Sequence, residues 1–587
     1  MASLRRSVYT YSYTADTTRM KEINQSHVLL FHPSMRATLD QVPNTHLLHN
    51  AVKLESSSSL VNEDLFPSPP EKRTWTAFNF FAYWWSESWA ISAWSIGASL
   101  ITVGATVRDA VLVVLFANLL TSVVIVLNGR AAAAYHIGFP VLSRTSFGIY
   151  GQYFVVVLRA LVGIAWGGVQ LYYQGQLISV CLRCVFPGWN KIPNTIPANQ
   201  AVTVQGLVGF FLALLSTLPF MFIHTTKIRH VFSFKAIVVP LAGLGIVCWA
   251  ITANKGISAH NLIDESKQKS TSIFAWSLVA QLNAVFGANS ALIVTVPDLA
   301  RYSTNRNAQV YGQALGLPLS QTICAAFGII TTAAVKNMYG EAYWNPYDLL
   351  NGILDHGYTP KARAGVFFAA AAWAFATLGT SIACNAVPFA ADITCLAPKY
   401  INIVRGQVVW LVISLSIVPW RYVGTASGFL RFFTGYCIFQ GPVVGIMLID
   451  YFFVRRGNLY LPDLYRHSST ARYYFTKGFN IRAFAAFIIG SLLPLPGLIG
   501  SFGHSFSSAA DHMFSLGWIL SFLVGSLAYW ALCALFKVPG DDDSYGFEEK
   551  VAEAEEMICQ GGGELSPSGE VKGDTSLQVE HIEHNSI

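Results

Sequence analysis

Trp166 and Gln170 stand four residues apart in a long apolar run, so on a helix they project from one face, one turn apart. An indole and a carboxamide side by side can stack on a planar heterocycle and hydrogen-bond to its edge. A second run offers Thr380, Ser381 and Asn385, with Ser381 and Asn385 again four apart. A third holds the small, polar pentapeptide Phe286-Gly287-Ala288-Asn289-Ser290 between apolar flanks. A fourth carries Ser86 and Glu87, followed by Ser88, Ser92 and Ser95, whose hydroxyls can compete for helical carbonyls. Glu87 is the acid nearest the middle of any run. A carboxyl there is costly unless protonated, paired or hydrated, which makes it a candidate proton carrier. Each residue also has a structural role open to it: an ion pair with Arg159 for Glu87, close helix packing for Gly287, interhelical bridging for Asn385. Taken together, one indole, carboxamides on three separate helices and no cation within the runs suit a neutral, flat, amide-rich solute.

Composition says what must hold these groups in place. Of 587 residues 53% are hydrophobic and only 12% charged, and the mean hydropathy is +0.44. The charged share is about half the roughly 25% usual for soluble domains, which points to a lipid bilayer as the surrounding medium. Hydrocarbon admits helices or closed barrels, and the runs are continuous where a barrel would alternate, so the expected class is all-α and polytopic. Apolar runs predict twelve spans, near 74–101, 110–128, 150–178, 203–223, 236–253, 271–296, 310–335, 364–397, 407–420, 432–454, 482–503 and 513–536. Residues 74–537 thus form one helical domain. An even number of spans puts both tails on one side, and the excess of Lys and Arg makes that side cytoplasmic. Arg455, Arg456, Arg466, Arg472, Lys477 and Arg482 fall in one such inner loop.

The tails, 1–73 and 538–587, lack an apolar face long enough to fold alone and are expected to be disordered, the second strongly acidic. Within it, residues 551–557 can form a transient helix that the Gly561–Gly563 run would end. Residues 1–73, polar and mixed in charge, do not read as a signal peptide, so the first span is expected to serve as its own insertion signal. Cys181 and Cys184 form a CxxC pair without a second pair to complete a zinc site, so no metal and no cofactor are expected. Basic residues form no stripe with interleaved aromatics, which excludes nucleic acid as a partner. No nucleophile, base and oxyanion arrangement points to an enzyme.

Carriers bind solutes near the bilayer midplane where helices are interrupted. The serine-rich first span and the Gly287 pentapeptide of the sixth are five helices apart, the spacing of two inverted five-helix repeats whose first helices are both broken. Asp392 and Asp450, near span ends, read as interfacial caps or loop anchors.

Three loops then carry a resemblance. Gly129-Arg130, Tyr135-His136-Ile137-Gly138-Phe139-Pro140-Val141 and Arg144-Thr145-Ser146-Phe147-Gly148, with Val296-Pro297-Asp298-Leu299-Ala300-Arg301-Tyr302, Gln313, Gly316, Pro318 and the lead-in Pro67 to Trp75, resemble the nucleobase-cation-symport-1 family in consistent order from about residue 60 to 505. Its fungal branch of uracil, uridine and allantoin permeases is the most similar, with thiamine and nicotinamide riboside carriers as near relatives. The resemblance implies a twelve-helix carrier of the LeuT-like five-plus-five design with two peripheral helices. It also implies alternating access in a plasma membrane, with the solute between the first, third, sixth and eighth helices. The family's stacking Trp and its amide partner fall on Trp166 and Gln170, its eighth-helix Asn on Asn385, and its sixth-helix contact on or beside Asn289 and Ala288, where relatives often carry a large aromatic or a Lys. The hydroxyl pair of sodium-coupled members falls on Gly379 and Thr380. One hydroxyl is missing, and although first-helix carbonyls near Ser86 and Trp89 remain, the loss favours a coupling proton over sodium. The second class of function to weigh is a sensor that binds its ligand and transports little.

Overall fold

The computed structural model describes residues 65–222, 225–255, 271–503, 506–538 and 545–560. The expectations for residues 1–64 and for the Gly561–Gly563 helix stop lie outside them. The helices are α1 (Ala77–Ser88), α2 (Ile91–Thr102), α3 (Val107–Tyr135), α4 (Phe139–Phe147), α5 (Gln152–Val185), α6 (Val204–Thr217), α7 (Thr225–Ala253), α8 (Thr271–Ala300), α9 (Ala308–Tyr339), α10 (Pro346–His356), α11 (Pro360–Ser381), α12 (Val387–Leu396), α13 (Ile403–Ser414), α14 (Trp420–Val423), α15 (Ala426–Ile449), α16 (Ile481–Leu492), α17 (Leu495–Gly500), α18 (Ser508–Ser515), α19 (Gly517–Leu535) and α20 (Val551–Gln560). Among the described residues, nine helical segments are long and apolar enough to cross a membrane unaided. The first, ninth and eleventh expected spans fall instead on shorter apolar helices, Ile91–Thr102 behind α1, Ile403–Ile417 and Ile481–Leu492. All twelve runs are therefore helical.

The first span is broken where its serines cluster. Ala90 is extended, with φ −134° and ψ 153°, and separates α1 from α2. The Ala90 carbonyl caps the start of α2, accepting from the Ala93 and Trp94 N–H groups at 3.1 and 3.2 Å, and side chains of α9 pack across the break. The Ser320 hydroxyl donates to the Trp84 carbonyl at 3.1 Å, and the Cys324 thiol points at the Ala90 carbonyl at 3.9 Å.

The sixth span corrects the expectation of a second break, because α8 runs without interruption from Thr271 to Ala300. Its small pentapeptide serves packing. A Cβ on Gly287 would lie 2.7 Å from the Phe433 carbonyl oxygen, so only glycine lets α8 approach α15 this closely. The second interruption lies in the eighth span, where a π turn over Ile382–Ala386 joins α11 to α12. Such insertions widen the turn and shift side chains off the regular helical face.

Ion pairs also differ from the sequence reading. Arg159 does not reach Glu87. It pairs with both oxygens of Asp392, one through Nε at 2.8 Å, and with Asp298 at 2.5 Å. Asp392, 1% exposed, is thus a buried counter-ion and not an interfacial cap. Asp450 is wholly buried, held by Arg455 at 2.9 Å and by the Tyr529 hydroxyl at 2.9 Å. Charges taken out of water must be paired in this way.

The acidic C-terminal stretch is not uniformly solvated. Glu548 accepts from Arg130 at 2.6 Å and Arg306 at 3.0 Å, and from the Tyr451 hydroxyl at 2.9 Å. The Glu548 side chain lies so close over Gly457 that a Cβ there would come within 2.6 Å of its Cγ. The helix expected over residues 551–557 is present as α20.

Candidate functional site

Between α1, α2, α5, α8, α9, the end of α11 and the π turn lies a cavity that opens to solvent. Glu87, Trp166, Gln170, Ala288, Asn289, Thr380 and Asn385 line it, so the sequence-selected residues of four separate spans converge on one space. Ser86, Trp89 and Ser381 stand apart from that lining. The Ser86 hydroxyl donates to the Phe232 carbonyl at 3.2 Å. Trp89 packs edge-on against Phe327 with ring centroids 5.3 Å apart. Ser381 is buried with its hydroxyl unpartnered. The reason is the π turn: Ser381 and Asn385 share a face only on a regular α-helix, and the wider turn between them brings Asn385 to the cavity without Ser381.

Each lining group has a definite set of partners. The Trp166 indole N–H donates to the Tyr436 hydroxyl at 3.0 Å, which donates onward to the Gly287 carbonyl at 2.7 Å. The ring stacks on Phe433, centroids 5.2 Å apart and planes 22° from parallel. Its plane is fixed before any solute arrives. Gln170 is 2% exposed, and its Oε1 has no hydrogen-bond partner. Asn289 is committed at both ends: its amide donates to Asn118 Oδ1 at 3.1 Å, and its Oδ1 accepts from Gln321 at 2.9 Å.

The charged part of the wall rests on a residue that sequence reasoning missed. Lys235 on α7, wholly buried, places its ammonium 3.2 Å from Glu87 Oε1 and donates to the Thr380 hydroxyl at 2.6 Å. The Cys384 thiol donates to Glu87 Oε2 at 3.1 Å. This corrects the expectation that no cation lies within the spans. Lys235 sits immediately before the boundary drawn for the fifth span at 236, but α7 begins ten residues earlier, at Thr225, and carries the lysine inward. The signal was an isolated Lys abutting an apolar run on a helix with no break between. Gln321 was missed likewise, although it follows Pro318 by less than one turn and shares its span with Gln313.

Chemically, the cavity offers an oriented indole, carboxamide acceptors and a carboxylate neutralised by an ammonium. Among the described residues no group of three His, Cys, Asp or Glu side chains could hold a metal.

Comparison with known proteins identifies the family and the fold. A family model described as permease for cytosine/purines, uracil, thiamine, allantoin matches residues 67–521. The allantoin permease of Saccharomyces cerevisiae is 35% identical over 492 residues, covering 82% of this chain and 77% of that protein. The uracil permease of the same yeast is 34% identical with the same coverage. Two solved structures share the fold. Mhp1 in an inward-facing conformation superposes with a TM-score of 0.66 at 21% identity, covering 85% of this chain and 99% of the other. The same transporter, described as a nucleobase-cation-symport-1 family member in a closed conformation with bromovinylhydantoin bound, gives 0.64 at 21% identity over 84% and 100%.

Proposed function

This chain belongs to the nucleobase-cation-symport-1 family, the permeases for cytosine/purines, uracil, thiamine and allantoin, and on that premise we propose that it imports a uracil-, uridine- or allantoin-type heterocycle together with a proton by alternating access. Trp166 supplies the stacking plane, and Gln170 and Asn385 supply the edge contacts, with Ala288 and Asn289 forming the opposite wall. The membrane is the plasma membrane, with both termini cytoplasmic.

The observation that carries the reading is the pairing of unsatisfied carboxamide with neutralised charge. Gln170 Oε1 is buried without a partner, while the lining acid, Glu87, is already matched by Lys235. A cavity so built suits an uncharged solute rich in N–H groups and gives a cationic solute such as thiamine no free counter-ion.

Glu87 is the coupling group in this scheme. Protonation from outside neutralises it, frees Lys235 from its 3.2 Å contact and leaves the ammonium to Thr380. Lys235 also argues against sodium. Its stem passes where the family's second hydroxyl would project, since a Cβ on Gly379 would lie 3.4 Å from Lys235 Cδ, and its ammonium takes the Thr380 hydroxyl that a sodium ion would need.

Uptake of radiolabelled uracil, allantoin, uridine and thiamine by cells expressing the full chain tests the proposal. Saturable, acid-stimulated accumulation of one of the first three is expected. Accumulation of thiamine alone overturns the substrate assignment. Saturable binding without accumulation makes the chain a sensor, and sodium-dependent uptake insensitive to pH overturns the coupling.

A further inference from the structure

We propose that Gln321 is a solute-contacting, specificity-determining residue which, with Gln170, requires the solute to bring two N–H donors, as an imide or a cyclic ureide does. The inference rests on the cavity being the solute site.

Gln321 lies on α9, the helix that packs across the break in the first span through Ser320 and Cys324. Its backbone is therefore fixed by the same feature that opens the cavity. Its side chain is 8% exposed and lines that cavity. The amide nitrogen donates to Asn289 Oδ1 at 2.9 Å, Asn289 donates to Asn118 Oδ1 at 3.1 Å, and Asn118 donates to the Thr322 hydroxyl at 3.3 Å. Three carboxamides thus form a relay in which each amide nitrogen donates to the next group, ending on Thr322. At its other end is Gln321 Oε1, which is buried and has no partner.

Bridging between helices explains only the nitrogen end. Asn289, which bridges helices, has both ends engaged; Gln321 does not. Among the described residues four buried glutamines have an unpartnered Oε1, namely Gln170, Gln281, Gln321 and Gln407, and of these Gln170 and Gln321 line the cavity. The two are acceptors on different helices, so their complement is a pair of N–H donors on one solute. A buried acceptor left unpaired costs its full desolvation penalty, so a solute lacking either N–H binds at least tenfold more weakly. Uracil, with N1–H and N3–H, meets the requirement. A tertiary amide does not.

The test is uptake of labelled uracil, allantoin and uridine by cells expressing the full chain, with surface protein quantified. For wild type, 1-methyluracil and 3-methyluracil are expected to compete at least tenfold more weakly than uracil. In Gln321→Met, which keeps the side-chain length and removes the acceptor, KM for uracil should rise about tenfold with little change in maximal rate per surface transporter. One of the two methyl analogues should then compete as well as uracil. Equal weakening of uracil and both analogues, or unchanged discrimination, overturns the proposal. So does wild type inhibited equally by all three compounds, a result that needs no variant to fold. Wild type present at the surface that accumulates none of uracil, allantoin and uridine overturns the functional reading together with this one, whereas uptake of uridine alone, or uptake without N–H discrimination, overturns this one alone.

Discussion

Removing Lys235 exposes the logic of the charged wall. Its ammonium and Glu87 Oε1 are 3.2 Å apart and both side chains are almost wholly buried. At an effective dielectric constant of about 20, two unit charges at that separation attract by about 5 kcal/mol. Breaking a buried pair from one side costs about 3 to 5 kcal/mol, because the remaining charge is stranded, whereas removing both partners is far less damaging. Lys235→Met keeps most of the stem beside Gly379 and removes only the charge and the donor to Thr380. The expected order of thermal stability for detergent-purified protein is therefore wild type highest, Lys235→Met lowest, and Glu87→Gln/Lys235→Met above Lys235→Met alone. A double-mutant cycle should give a coupling energy of about 2 kcal/mol or more. In uptake assays, Glu87→Gln and the double variant should lose the acid stimulation that wild type shows. Single effects that add to within about 0.5 kcal/mol would show that the two groups do not interact, and undiminished acid stimulation in Glu87→Gln would remove Glu87 from coupling.

Gln170→Ala should raise KM for the transported heterocycle roughly 5- to 150-fold, the equivalent of ~1 to 3 kcal/mol for a lost buried acceptor, and an unchanged KM would place Gln170 outside the solute's reach. Gly287→Ala should lower the yield of monodisperse protein in detergent, since its new Cβ meets the Phe433 carbonyl at 2.7 Å and overpacking costs about 1 to 3 kcal/mol; Gly245→Ala, where a Cβ meets nothing within 4 Å, is the control and should behave as wild type. Burial raises the Glu548 carboxyl, but hydrogen bonds from Arg130 and Tyr451 and the charges of Arg130 and Arg306 outweigh it and hold the group below its ordinary value of 4.5. A depressed carboxylate stabilises the docked C-terminal segment fully above that ordinary value and less as pH falls below it. Limited proteolysis should therefore find the segment protected at neutral pH and progressively released as the medium is acidified below the ordinary carboxylate value, while Glu548→Gln should release it at neutral pH as well.

What the residues alone could reveal differs between the medium and the site. Hydrocarbon punishes unpaired backbone everywhere, so every spanning segment must advertise itself as a long apolar run, and all twelve runs are helical. The serines after Glu87 marked the first break for a similar reason, because hydroxyls near a freed carbonyl are a local signal. Trp166 and Gln170 were legible because α5 is regular, and a spacing of four then fixes a shared face. Ser381 and Asn385 have the same spacing but are parted by a π turn, a local irregularity that spacing arguments assume away.

The sequence by itself determined the helical class, the lipid surroundings, the family resemblance through its loops and most of the side chains that meet at the cavity. Tertiary structure decided who pairs with whom. Lys235 rather than Arg159 answers Glu87, because α7 begins before its apolar run and carries the lysine against α1, while Arg159 is claimed by Asp298 and Asp392. Gly287 proved to be a contact point and not a break, since the neighbour that requires it, Phe433, is far away in the chain. Buried charges and close backbone approaches depend on distances between segments remote in sequence, and those distances exist only once the helices have packed.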